Sequence, residues 1–155
     1  MKLRNLMPRV VMGVAPFVMA AAIGGAVSAC SSSPAPPTPH QQVLTWWNAQ
    51  GQKQTAAVLA DGQGITNDLK TSDLIGASIL ADQSAALAGT YQRHLPPVDP
   101  SDYSAYLNYM QAADKYVASG DYTDAAPLLS MATSALNNWE KYIDQHAGFA
   151  VSTGS

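Results

Sequence analysis

The chain has 155 residues, of which 47% are hydrophobic, 8% aromatic and 12% charged, with one cysteine and a formal net charge of −3. Such a length supports one domain with a tail, and a charged fraction about half the usual ~25% excludes a highly charged disordered protein. There is no basic surplus for nucleic-acid binding, and a single Cys excludes an intramolecular disulfide and any multi-Cys zinc site.

The charge is unevenly placed. Lys2, Arg4 and Arg9 are three of the eight basic residues, and all eleven acids lie after residue 60. Without residues 1–29, five basic residues face eleven acids, a balance of −6. Behind the basic start, Val10 to Val27 is an uncharged apolar run, followed by Ser28-Ala29-Cys30 and three serines. A charged start, an apolar run and small residues before a cut site make a secretory signal peptide. An uncleaved membrane-spanning helix is the weaker reading. Pro16, Gly13, Gly24 and Gly25 disfavour it, and it does not explain why the only Cys follows Val-Ser-Ala.

Val27-Ser28-Ala29-Cys30 resembles the lipobox of bacterial lipoproteins: a branched apolar residue, two small residues and the Cys. The resemblance covers residues 1–30. It implies that Val27, Ser28 and Ala29 are read by the signal peptidase. It implies a diacylglyceryl group on the Cys30 thiol, cleavage before Cys30, and attachment to the outer face of the cytoplasmic membrane by palmitate-type chains. A thiol is the only good nucleophile in the segment. Two or three acyl chains, at roughly 0.8 kcal/mol per buried methylene, hold more firmly than one. The Ala-rich, Lys-poor composition associates the chain with an actinobacterial source.

Residues 30–40 form a tether. Four prolines between Ser31 and His40 prevent helix and favour extended polyproline II, reaching roughly 30 Å at ~3.1 Å per residue.

Residues 41–147 predict an all-α, up-down antiparallel four-helix bundle, with 148–155 as a flexible tail. The first helix, Gln41 to Lys70, carries Leu44, Trp47, Gly51, Thr55, Val58, Gly62, Ile65 and Leu69 at steps of three and four. The two glycines on this stripe allow a neighbouring helix to approach. A break near Asp61-Gly62-Gln63-Gly64 is the alternative. The second helix, Ser72 to Gln92, has Ser72 as its cap. Leu74, Ala77, Ala81, Ser84, Leu87 and Tyr91 share its face, with Ile75, Ile79 and Ala86 beside them. Pro96-Pro97 ends it. The third starts with Asp99 as cap and Pro100 at the first position, and stops at Gly120. The fourth starts at Asp121 and carries the clearest stripe: Ala125, Leu128, Leu129, Ala132, Leu136, Trp139, Ile143 and His146. Alanine-rich stripes imply closely spaced axes rather than a large cavity. Around the last turn, Tyr116, Gly120-Asp121-Tyr122, Asp124-Ala125, Leu129 and Ala132 are similar to the middle of a tetratricopeptide repeat. The family's Trp-Leu-Gly start is replaced, and no second copy follows, so the segment reads as a tight helical hairpin.

No catalytic constellation emerges, and the chain reads as a non-enzyme. His40, His94 and His146 are far apart, and no His-x-x-x-His or Glu-x-x-His pair marks a metal bundle. Glu140 and Asp144 share a helix face and read as a solvated surface; Asp121 and Asp124 read as capping. There is no Gly-x-Ser-x-Gly elbow and no phosphate loop. No cofactor or metal is expected. The adjacent Trp46 and Trp47 are the most suggestive remainder. On a helix they point about 100° apart, so one is expected in the core and the other partly exposed. There they pack the bundle's end, touch the membrane interface or stack on a sugar or partner. The expected role is binding or scaffolding of an envelope component by a lipid-anchored domain. The alternative is a small-ligand or metal-binding accessory of an uptake system.

Overall fold

A capping box starts the described part of the chain's helical core. The computed structural model describes residues 34–151. The apolar run and Val27, Ser28, Ala29 and Cys30 lie outside them. Pro34 to Thr38 are exposed and lack regular secondary structure. The Thr38 hydroxyl accepts from the Gln41 backbone N–H, and the Gln41 side chain accepts from the Thr38 N–H. With Pro39 at the first helical position, both features favour initiation there. Helix α1 therefore spans Pro39–Trp46, two residues ahead of the expected start.

A π-helical turn at Trp47–Gly51 joins α1 to α2, Gln52–Thr71, with right-handed helical backbone throughout, so the three form one rod. There is no break at Gly62. A π turn inserts one extra residue into the helical repeat. Its effect is visible in burial: the regular stripe places Leu44 inward, whereas Val43 is fully buried and Leu44 only half-buried.

At the end of α2, Ser72 does not cap the second helix of the bundle. It takes the left-handed conformation (φ 63°) that closes α2, its N–H bonding back to Leu69. The next residue caps instead: Asp73 accepts from the Gly76 N–H at 2.9 Å and starts α3, Leu74–Tyr91. The buried face of α3 is Ala77, Ala81, Ser84 and Ala88. The expected stripe is thus rotated toward its small residues, and Leu74, Ile75 and Ile79 are exposed, Ile75 at 77%. Small residues here let α3 sit close to α2 and α4. A Cβ built on Gly64 would come within 2.5 Å of the Leu80 side chain.

Helix α4, Pro100–Ser119, follows an eight-residue connection. Asp99 precedes it in a left-handed conformation (φ 44°) and does not cap it through its side chain. Its carboxylate instead accepts from the Ser101 hydroxyl at 2.8 Å. Gly120 (φ 78°) supplies the left-handed stop that glycine takes without strain. Asp121 then accepts from the Asp124 N–H and starts α5, Tyr122–Ala147. Pro127 falls early enough in α5 to be accommodated.

The chain is an all-α four-helix bundle in up-down order. Neighbours in sequence pack together: the α2 part of the rod on α3, α3 on α4, and α4 on α5. The rod and α5, first and last in sequence, meet more sparsely, through both α1 and α2. Beyond α5, Gly148 takes the left-handed conformation, and Phe149 and Val151 pack against the core. The first residues after α5 are therefore part of the bundle.

Candidate functional site

The two ends of the bundle differ, and the difference creates the site. At the α1 end the space between helices is filled by indoles and phenols. Trp46 lies 5.4 Å from Tyr103 and 5.8 Å from Trp139, all near edge-on, and Trp47 lies 6.2 Å from Trp139. Edge-to-face pairs at such distances add to the area buried by the rings. Trp46 and Trp47 are each only 7% exposed. The expected split between one buried and one exposed indole is not found. Gly51 is the reason. The Trp46 ring lies across it, and any Cβ there would collide with that ring. The π turn supplies the phase shift, and the glycine supplies the room.

The plug is tied down by carbonyls from neighbouring elements. Trp46 Nε1 donates to the His94 carbonyl at 2.9 Å, and Trp139 Nε1 is directed at that of Val98 at 3.4 Å. His40 Nδ1 donates to the Ala147 carbonyl at 2.9 Å, and Phe149 meets both His40 and Trp47. His94 is exposed. His146 is also exposed, stacked on Tyr142 at 4.1 Å rather than pointing into the core; Ala147 takes the inner position. The three histidines serve different corners of the fold. Among the described residues no three His, Cys, Asp or Glu side chains cluster.

Deeper along the bundle the polar groups thin out. Thr55 and Tyr103, both fully buried, share a hydrogen bond of 2.8 Å. Burial pushes the Tyr103 hydroxyl up to about 12, against the lowering effect of Thr55. Tyr106, one turn further, is equally buried, but its hydroxyl has no hydrogen-bond partner among the described residues. Burial holds its ionisation well above the ordinary tyrosine range, with Tyr103, Asp61 and Glu140 adding to the shift.

Beyond Tyr106, toward the other end, α2 and α5 no longer fill the space between them. A cleft of about 440 Å³ opens there, walled by Val58, Leu59 and Gly62 of α2, Tyr106 and Met110 of α4, and Leu129 and Thr133 of α5. A second hollow of about 510 Å³ continues it toward Tyr122 and shares Thr66, Lys70, Leu129 and Thr133. Each lies within the size range of small-molecule sites. Gly62 forms a narrow point, where an added Cβ would stand 3.1 Å from the Met110 methyl. Close helix approach at Gly62 was legible in the sequence. The cleft was not, since alanine-rich stripes argue against a large cavity. They close the α3 interfaces but do not line the α2–α5 one.

Trp46 and Trp47 do not line this cleft. Trp46 contributes to a shallower hollow at the opposite end with Pro37, Gln41 and Leu95. Among the described residues, no helix is long and apolar enough to cross a membrane.

A four-helix bundle with a lateral cleft is therefore the class that fold and site define. No protein-family model matches the chain, no curated protein matches its sequence, and no solved structure matches its fold.

Proposed function

We propose that the chain is a lipoprotein of the bacterial cell envelope: a small acidic helical bundle held by a diacylglyceryl group on Cys30 at the outer face of the cytoplasmic membrane, with a binding role. The observation that carries the reading is the order of residues 1–30, in which basic residues, an uncharged apolar run and Val27-Ser28-Ala29 lead to the chain's only Cys. Support for binding rather than catalysis is the pairing of an apolar cleft with walls that assemble no nucleophile–base pair. The cleft also favours the second reading, a small-ligand accessory of an uptake system, over pure scaffolding.

The anchor is tested by metabolic labelling with a palmitate analogue. Cys30→Ser abolishes labelling and leaves the protein either released from the membrane fraction or unprocessed, with residues 1–29 retained. Unchanged labelling of the variant refutes the anchor.

A further inference from the structure

We infer that the α2–α5 cleft binds a single-chain amphiphile, an alkyl chain with one anionic headgroup, whose head sits at Lys70. The inference rests on the binding reading above and names its ligand class. Three observations carry it. The first is shape. The two hollows share four residues and form one trough. Val58 and Lys70 lie twelve residues apart on α2, about 18 Å at ~1.5 Å per residue. A long narrow trough suits an extended chain better than a compact ring system.

The second is the chemistry of the walls. Val58, Leu59, Met110 and Leu129 are apolar. Two threonines are less polar than their names suggest: Thr66 donates its hydroxyl to the Gly62 carbonyl at 2.9 Å, and Thr133 to the Leu129 carbonyl at 3.1 Å. Both hydroxyls are thus used within their own helices. Exposed Gln63 and Asn67 edge the first hollow, and Thr123 and Ser130 the second, but most of the lining surface is apolar, which leaves the backbone groups of a peptide laid along it short of partners. An alkyl chain carries no such groups.

The third is charge. Lys70 is the only charged residue lining either hollow. Asp61 and Glu140 lie near enough to Tyr106 to raise its ionisation, but no carboxylate lines either hollow, so the lining itself offers one cation. That is complementary to an anionic head and unfavourable to a cationic one.

A fatty acid and a lysophospholipid share this chemistry, so the test separates them. Mature full-length protein in phosphatidylcholine nanodiscs is irradiated with diazirine-bearing palmitate, and crosslinked peptides are mapped by mass spectrometry. Expected are adducts on residues 58–70 and 122–133. Lys70→Glu lowers their yield at least fivefold and Lys70→Arg retains it. Diazirine-bearing hexadecanol, with the same chain but no charge, labels at least fivefold less. Thr133→Trp, at an exposed position, blocks labelling while the melting curve stays cooperative. Competition by unlabelled palmitate assigns a carboxylate head, and competition by lysophosphatidylglycerol alone assigns a phosphodiester. Adducts confined to the exposed Leu74, Ile75 and Ile79 face overturn the inference, as does Lys70→Glu with unchanged yield or competition by neither compound. The assay reads contact with the cleft, not acylation of Cys30. Its failure removes the ligand class and leaves the anchor standing, and failure of the anchor leaves cleft labelling intact.

Discussion

Tyr106 carries a hydroxyl into the interior beside a cleft and gives it nothing to bond among the described residues. A buried hydroxyl without a partner costs about 1–3 kcal/mol. Tyr106→Phe keeps the ring packing against Tyr103 and removes that cost, so the variant gains about 1 kcal/mol in chemical denaturation. A loss of stability shows instead that the hydroxyl is satisfied. Asp114 is a second costly group. Its carboxyl is raised above 3.8, first by burial, then by the charge and hydrogen bond of Asp82, with Lys115 opposing. The folded chain thus holds this proton more tightly than the unfolded chain. Its contribution to stability is complete below the ordinary aspartate value and is lost as pH rises through the raised one. Asp114→Asn keeps a neutral side chain at every pH. Its melting temperature exceeds the parent's at neutral pH, and the gap closes on acidification. A constant gap across pH contradicts this assignment. Neither group was legible in the sequence, because what sets them apart is burial across helix interfaces, not local spacing.

At the scale of elements, the caps and the stripe of α5 were legible because they are local: Asp121 reaches the Asp124 N–H within one turn, and Leu129, Leu136, Trp139 and Ile143 repeat without interruption. In the rod of α1 and α2, Trp46 and Trp47 both keep ordinary right-handed helical backbone, so burying both requires the pair to straddle the core-facing side of the rod. The π turn rotates the upstream residues relative to α2, and the Trp46 ring then folds over Gly51. Gly51 makes that possible. Gly51→Ala forces the Trp46 ring off its seat, an overpacking cost of about 1–3 kcal/mol. Near-ultraviolet circular dichroism should show a weakened tryptophan signal with far-ultraviolet helicity retained. An unchanged signal and melt would show that the glycine is not required. In α3 the shift toward Ala77, Ala81 and Ala88 has a different origin. Small residues win the interior because α2 and α4 both approach closely, which leaves Ile75 and Ile79 outside.

At the scale of the whole molecule, fold class was legible because short connections and four helical stripes leave few alternatives to an up-down bundle. The cleft was not. It depends on the first and last helices being wedged by aromatic rings at one end and left unfilled at the other, a long-range relation that no window of sequence contains. The same division orders the functional reading. The proposed attachment rests on consecutive residues before the bundle, whereas the proposed ligand choice rests on residues far apart in the chain. Acidity joins the two. On the proposed reading, a bundle of balance −6 behind a proline-rich segment would be repelled by anionic headgroups, which would leave the acyl chains as the main membrane contact. The most direct test of the account is the intact mass of the protein extracted from envelope membranes. The account predicts a chain that begins at Cys30 and carries the added mass of a diacylglyceryl group. A chain that retains residues 1–29, or one that begins elsewhere without lipid, would contradict it.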